Sequence, residues 1–138
     1  PIRAITRADR MTIARARAAG VVTMLTISTR LDRFPEVRAI AEAYDDVWCS
    51  VGAHPHEAAE HGATTATQLT ALAEHPRVIG IGETGLDFYY DHSPRDTQER
   101  VFRAHIAASK INGLPRILYA RGAPRAPVPR RQSAVRLP

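Results

Sequence analysis

The segment 80-GIGETGLDFYY-90 combines the pattern of a buried strand with an acidic residue that a buried strand does not readily tolerate. The apolar run over 78–82 predicts a strand in the protein interior, and Glu83 follows it directly. Removing a carboxylate from water is costly unless a cation or hydrogen-bond donors replace its hydration. Gly82 and Gly85 flank Glu83 and allow sharp turns and close approach of another backbone. The segment therefore predicts a strand that ends at a functional site, with both glycines in structural roles.

The rest of the chain alternates between helical and strand patterns. Apolar, β-branched runs predict strands over 21–27, 47–51, 78–82 and 116–119, and apolar residues at helical spacing predict helices over 6–19, 32–44, 65–74 and 93–111. Asp32 is the expected N-cap of the second helix. The run over 21–27 is so uniformly apolar that we expect it to be buried on both faces.

This alternation predicts an α/β fold in which parallel strands are joined by right-handed crossovers. Two architectures fit the pattern, an open doubly wound sheet and a (β/α)8 barrel. A complete barrel needs about 250 residues, whereas this chain has 138. The pattern accounts for about four βα units, roughly half a barrel.

The charge is distributed unevenly along the chain. The net charge is +5, but residues 116–138 contain six arginines and no acidic residue, so the remainder carries −1. The basic balance is therefore a property of the C-terminal end and does not predict a basic patch on the folded part. Prolines at 124, 127 and 129 and the lack of apolar periodicity predict a disordered tail over 123–138. Its composition also suggests the hypothesis of a GC-rich gene read out of frame.

The single cysteine, Cys49, lies in a predicted strand and cannot form an intrachain disulfide. We expect a small buried thiol in a reducing compartment, which favours the cytoplasm. The sequence contains no apolar run as long as a membrane span and no apolar core of a signal peptide. We therefore expect no membrane partner.

Polar side chains follow three of the predicted strands, where active sites of parallel α/β folds lie. His54 and His56 follow the second strand, Glu83 the third and Arg121 the fourth. Carboxylate and imidazole groups are the ligand types of Zn²⁺, Mn²⁺ and Mg²⁺. On spacing alone, Glu83 either binds a cation, caps a turn or pairs with an arginine. The two histidines either contact a ligand or are turn residues with solvated rings.

Other conspicuous residues in these segments have structural interpretations. Asp87 is expected to brace its loop by accepting hydrogen bonds from backbone N–H groups. The three aromatic residues over 88–90 are expected to pack rather than to form a stacking platform. His105 lies on the apolar face of the last helix and is expected to be a hydrogen-bonded core histidine.

Four stretches together resemble the TatD family of metal-dependent hydrolases. They are 16-ARAAGVVTMLTIST-29, 51-VGAHPHEA-58, 78-VIGIGETGLDFYYD-91 and 98-QERVFRAHIAASKINGLP-115. The resemblance covers roughly residues 8–123, and the G-E-x-G-L-D signature that follows the G-x-H-P-H loop is its most specific part. The resemblance implies an amidohydrolase-like (β/α)8 barrel, and the TatD family includes deoxyribonucleases. Some members of the family are linked to deacylation of D-aminoacyl-tRNA.

The resemblance also implies roles for individual residues. The family binds one or two divalent cations, Mg²⁺, Mn²⁺ or Zn²⁺, and hydrolyses phosphodiester bonds of DNA with metal-activated water. Glu83 matches a metal ligand, which bridges the ions if two bind. His54 and His56 match residues beside the substrate, and Arg121 is positioned in the motif to pair with phosphate oxygens. Asp87 belongs to the same signature as Gly82 and Gly85, which have structural roles at the site.

The sequence departs from the family pattern at the other metal ligands. The His-x-His pair expected on a preceding strand has no counterpart, and Tyr119 stands where the next histidine ligand is expected. We therefore expect a partial barrel over 1–122, incomplete at both ends, that is a nuclease by family but inactive as this chain. Two alternatives are a non-catalytic product of a truncated or frameshifted gene and a non-specific nucleic-acid binder acting through the arginine-rich tail. Exposed strand edges are expected to promote self-association.

Overall fold

The computed structural model describes residues 5–123, and within them four helices alternate with four strands. The elements are α1 Arg7–Ala18, β1 Met24–Thr26, α2 Phe34–Ala43, β2 Val47–Val51, α3 Ala66–Leu72, β3 Val78–Asp87, α4 Arg95–Asn112 and β4 Arg116–Arg121. Short 3₁₀ turns at Leu31–Arg33 and Pro55–Glu57 follow β1 and β2. The predicted tail lies outside the described residues from residue 124 onward. No helix within 5–123 is long and apolar enough to cross a membrane.

The four strands form one parallel sheet in the order β1-β2-β3-β4. In a doubly wound sheet the strand order reverses at a switch point, whereas in a barrel each strand lies beside its predecessor. The sequential order therefore decides between the two architectures left open by the sequence. The predicted partial (β/α)8 barrel of about four βα units is confirmed.

The main core lies between this sheet and the helices packed on it. Its buried apolar residues come from every helix and from β2 and β3: Ile13, Phe34, Ala41, Val47, Cys49, Val51, Leu69, Ala73, Val78, Ile81 and Ala108. The interior of β2 alternates Val47, Cys49 and Val51, all at 2% exposure or less. Burial of the thiol raises the pKa of Cys49 to about 11, so the cysteine is a small core residue, as predicted.

The strand predicted over 21–27 is shorter and more exposed than expected. β1 comprises only Met24–Thr26, and Val21, Val22 and Leu25 are 41%, 83% and 40% exposed. The prediction that this run is buried on both faces is wrong. The physical reason is the position of β1 at the sheet edge, since within residues 5–123 it pairs with β2 alone. A continuous apolar run indicates a buried strand only when neighbouring elements cover it.

The second helix begins differently from the prediction. Asp32 does not cap it, because a 3₁₀ turn precedes α2 and the N-cap is Arg33, which makes no side-chain capping bond. Asp32 instead forms an ion pair with Arg30, with 3.1 Å between Oδ1 and Nε. Pro35 in the first turn of α2 starts this helix, because its ring presets a helical φ and it needs no partner for an N–H.

His105 is the buried polar residue that ties α4 to the segment after β2. The side chain is fully buried, with Nδ1 2.7 Å from the carbonyl oxygen of Val101. The backbone N–H of Ala53 donates to Nε2 over 3.0 Å. Nδ1 therefore carries the proton and Nε2 accepts, which is the neutral imidazole. Burial lowers the pKa of His105 to about 4, and the nearby His61 acts in the same direction. The predicted core histidine is confirmed.

This arrangement predicts that the stability of the protein falls as pH decreases between about 6.5 and 4. The folded state needs neutral His105, whereas in the unfolded chain this histidine is protonated below its ordinary pKa. The full contribution of neutral His105 to stability is therefore present above about pH 6.5. The loss reaches about 3 kcal/mol at most. Urea unfolding across this pH range measures the change in the free energy of unfolding. His105→Gln is the control, because a side-chain amide does not titrate here and can still donate to the Val101 carbonyl and accept from the Ala53 N–H. An equal pH slope in both proteins would contradict the prediction.

Candidate active site at the sheet rim

Glu83 lies at a β-bulge inside β3 and not beyond the end of the strand. Ile81 pairs with Arg116 and Thr84 with Leu118, so β3 advances three residues where β4 advances two. The sequence prediction ended this strand at Gly82, and the structure shows that it continues to Asp87 because β4 pairs with it through Arg121. A bulge leaves its extra residue outside the regular ladder and redirects its side chain. This explains how a carboxylate occurs in the middle of an apolar strand.

Gly82 and Gly85 make this course of β3 possible, because the backbone of β4 occupies the space that a side chain at either position would fill. Their φ angles are +141° and +149°. A Cβ at Gly82 would lie 2.4 Å from the carbonyl oxygen of Ile117, and a Cβ at Gly85 would lie 1.9 Å from that of Tyr119. Any other residue would separate β3 from β4 or alter the bulge. Both glycines therefore determine the close contact of the two strands beside Glu83.

The backbone of Glu83 is anchored by a hydrogen bond, whereas its carboxylate forms no hydrogen bond or ion pair within residues 5–123. Its N–H donates to the carbonyl oxygen of Ser28, after β1, over 2.8 Å. Among residues 5–123 no hydrogen bond or ion pair engages the half-buried carboxylate. Neither of the structural roles considered above, capping a turn or pairing with an arginine, is seen. Burial and the neighbouring His56 lower the pKa of His54, and the Glu83 carboxylate acts in the opposite direction.

His54 and His56 lie side by side at the 3₁₀ turn after β2. Their ring centroids are 4.4 Å apart, and the backbone N–H of His56 donates to Nδ1 of His54 over 3.2 Å. Because Nδ1 of His54 accepts, neutral His54 carries its proton on Nε2. Burial, and then the neighbouring His56, lower the pKa of His54 and favour this neutral form. His54 can thus donate one hydrogen bond to an anionic oxygen.

Asp87 holds both His56 and the loop after β3. Its fully buried carboxylate accepts from the backbone N–H groups of Tyr89 and Tyr90, each over 3.0 Å, and lies 2.6 Å from Nε2 of His56. Burial by itself would raise the pKa of Asp87. The N–H of Tyr90, the His56 ring and the N–H of Tyr89 outweigh it and hold the pKa well below its usual range. Asp87 therefore braces the loop, as the sequence indicated, and also orients a histidine.

Two residues of β4 complete the rim. The Tyr119 ring lies 4.5 Å from the His54 ring and 6.0 Å from the His56 ring. Arg121 is exposed, and its guanidinium lies over the rings of Tyr89 and Tyr90 at 4.3 and 4.6 Å. The structure thus brings the histidines, Asp87 and Tyr119 together near Glu83, and places Arg121 on the adjoining tyrosines.

Gln98 and Ser93 support this site and were not identified from the sequence. Gln98 is buried in α4, where its side chain accepts from the N–H of Asp87 over 2.8 Å and donates to the Asp87 carbonyl over 3.1 Å. The Ser93 hydroxyl donates to the carbonyl oxygen of His56 over 2.8 Å. Ser93 was interpreted as the start of the helix, which begins at Arg95. The sequence feature that indicates this role is a glutamine on the same helical face as Val101, where an apolar residue is normally found.

The described residues do not assemble a metal site. Within 5–123 there is no group of three or more His, Cys, Asp or Glu side chains placed to hold an ion. Residues 1–4 and 124–138 contain none of these four residue types. A catalytic zinc site uses three protein ligands, and Glu83 offers one carboxylate. The side chains of this chain therefore do not fit a complete catalytic metal centre.

Comparisons with known proteins agree with the geometry. Residues 3–128 match the family described as TatD-related DNase. The chain belongs to this family. The 3'-5' ssDNA/RNA exonuclease TatD of Cronobacter turicensis is 40% identical over 111 residues, which are 80% of this chain and 42% of the relative. The exonuclease of the same name from a Rahnella species is 38% identical over 117 residues, 83% of this chain and 44% of the relative.

A solved structure supports the same assignment. The crystal structure of YjjV, a TatD homologue from Escherichia coli K12, matches with a TM-score of 0.75 at 28% identity. The match covers 83% of this chain and 45% of YjjV. The resemblance to the TatD family stated from sequence is thereby confirmed. The chain spans less than half the length of the relatives it matches.

Replacing Gly85 is expected to destabilise the TatD-like sheet far more than replacing Gly113. Gly113 ends α4 at φ +76° with no atom within 4 Å of an added Cβ, so Gly113→Ala costs about 1–2 kcal/mol for the left-handed backbone alone. Gly85→Ala adds a collision with β4 and is expected to cost about 3 kcal/mol or more. Thermal and urea unfolding of the two variants measure the difference. Equal destabilisation would show that the strands separate without cost.

Proposed function

We propose that this chain forms one part of the substrate rim of a nuclease that hydrolyses phosphodiester bonds of single-stranded nucleic acid. The observation that carries the proposal is the convergence of His54, His56 and Glu83 where β2 and β3 meet the loops of the rim. The relatives named as 3'-5' ssDNA/RNA exonucleases match the part of the chain that contains all three residues. The buried Cys49 thiol is compatible with the cytoplasm as the proposed compartment.

Each residue has a role that follows from its hydrogen bonds. Neutral His54 donates from Nε2 to a phosphate oxygen, because its Nδ1 already accepts from the chain. His56 is held in one orientation by the buried Asp87 through Nε2, and its Nδ1 has no hydrogen-bond partner among residues 5–123 and remains for the substrate. Arg121 supplies a permanent positive charge for a phosphate group. These three residues bind and orient the substrate.

Glu83 is the ligand that we propose this chain provides for a divalent cation, Mg²⁺, Mn²⁺ or Zn²⁺. Its half-buried carboxylate makes no hydrogen bond or ion pair within residues 5–123, so its oxygens are available to a cation that prefers oxygen ligands. A cation held by Glu83 together with further ligands would supply Lewis-acid chemistry, which lowers the pKa of a bound water and stabilises phosphoryl charge. One carboxylate does not retain the ion, and we therefore propose that the 138-residue chain by itself does not hydrolyse nucleic acid.

We expect the purified chain to leave a 5'-labelled single-stranded DNA or RNA intact in Mg²⁺, Mn²⁺ or Zn²⁺, with no difference between metal and EDTA. Electrophoresis of the labelled product over time measures the rate, and a full-length relative is the positive control. Glu83→Gln is expected to give the same background. Metal-dependent shortening from the 3' end that disappears in Glu83→Gln would contradict the proposal of inactivity and would support the assignment of Glu83.

We also propose that a second copy of the chain covers the open sheet edges. Within residues 5–123, β1 and β4 each pair on one side only, and Leu25 and Leu118 on them are 40% and 45% exposed. Unpaired N–H and C=O groups beside exposed apolar side chains favour edge-to-edge association. A second copy supplies two matching edges, because β4 of one copy can extend the parallel sheet from β1 of the other.

Sedimentation velocity is expected to show dimers or larger species of the unmodified chain. Leu25→Lys and Leu118→Lys place a charge on each edge and are expected to shift the protein toward monomer. Ile111→Lys, at a 65% exposed position on α4, is the control for an added charge away from the edges. A monodisperse monomer of the unmodified chain with a cooperative unfolding transition would contradict self-association.

A further inference from the structure

An exposed aromatic and cationic cluster adjoins the candidate active site. The sequence predicts that residues 88–90 pack rather than form a stacking platform, but Tyr89 and Tyr90 are 64% and 49% exposed and contact each other and Arg121 at the surface. The reason is the turn after β3, in which Asp87 captures their backbone N–H groups while the side chains project outward. His92 and Arg121 are also exposed beside them.

The rings and the guanidinium group form an ordered arrangement. Arg121 lies over both tyrosine rings, at 4.3 Å from Tyr89 and 4.6 Å from Tyr90. The Tyr90 ring is within 19° of parallel to the His92 ring at 5.4 Å, whereas Tyr89 meets Tyr90 edge to face at 4.8 Å. Tyr89 therefore carries the guanidinium of Arg121 over its ring and still has 64% of its surface exposed. This exposed ring surface is available to a planar ligand.

The cluster is linked rigidly to the histidines of the rim. Asp87 binds the N–H groups of both tyrosines through Oδ1 and His56 through Oδ2. The N–H of Phe88 donates to the carbonyl oxygen of Arg121 over 2.8 Å, which joins the turn to the end of β4. A ligand on Tyr89 thus has a defined position relative to His56, because the two share one buried carboxylate.

We propose that Tyr89 and Arg121 form a stacking subsite for an unpaired nucleobase of single-stranded nucleic acid. The base stacks on the exposed ring surface of Tyr89, and Arg121 binds the adjacent phosphate through its N–H groups. This assignment rests on the proposed nuclease function, since it supplies the substrate class. Stacking on an aromatic ring contributes a similar binding free energy for every base, so the subsite accepts any nucleotide sequence. A duplex does not bind in this way because its bases are already stacked on one another.

The test is a binding measurement in EDTA with short DNA strands that contain the fluorescent base 2-aminopurine, whose emission falls on stacking. The folded chain is expected to bind the single strand and quench it, and to bind the matching duplex more weakly. Tyr89→Ala is expected to weaken binding by about 5- to 150-fold and to abolish the quenching. Tyr89→Phe keeps the ring and is expected to retain both. Ile111→Ala, at an equally exposed position, is expected to change neither.

The role of Arg121 has a separate measure. The slope of log affinity against log salt concentration counts the phosphate contacts. Arg121→Ala is expected to reduce this slope by about 1, the value for one phosphate contact, whereas Tyr89→Ala leaves the slope unchanged. Unchanged affinity and quenching in Tyr89→Ala, with the fold verified by circular dichroism, would overturn the proposal. So would the absence of single-strand binding by the unmodified chain. Because the measurement needs neither metal nor hydrolysis, its failure is distinguishable from a failure of the proposed nuclease function.

Discussion

The fully buried carboxylate of Asp87 cannot remain ionised without donors, and the rest of the rim is arranged around the donors that it uses. Two backbone N–H groups of the turn after β3 and the ring of His56 surround it. Gln98 fixes the Asp87 backbone from α4 through two further hydrogen bonds. Replacing the Asp87 carboxylate would therefore release His56 and the turn together, and removing the His56 ring would leave the buried carboxylate short of one donor, which is costly.

The second constraint is the close approach of β3 to its neighbour β4. The glycines at 82 and 85 let the two backbones come closer than any side chain permits, and the extra residue of the bulge places Glu83 at the rim. The same bulge accounts for the position of an acid in an otherwise apolar strand. Strand pairing and the position of the candidate ligand thus depend on the same backbone geometry.

The half-barrel explains why site residues cluster although a complete metal centre is not assembled. Sequential parallel strands bring the ends of β2, β3 and β4 to one edge, so residues distant in sequence become neighbours there. His54 contacts Tyr119 in this way, across 65 positions of the chain. His54, His56 and Tyr119 lie together at this edge, whereas within residues 5–123 no group of three or more His, Cys, Asp or Glu side chains is placed to hold an ion.

The sequence by itself determined the order of helices and strands, the parallel pairing, the family, the buried cysteine and the core position of His105, because each depends on local periodicity or on a specific motif. It did not determine the exposure of Val22 or of Tyr89, nor the continuation of β3 through Glu83. Those features depend on whether another element covers a residue or pairs with it. Only the tertiary structure decided them, because burial and strand pairing are properties of neighbours that lie far away in the sequence.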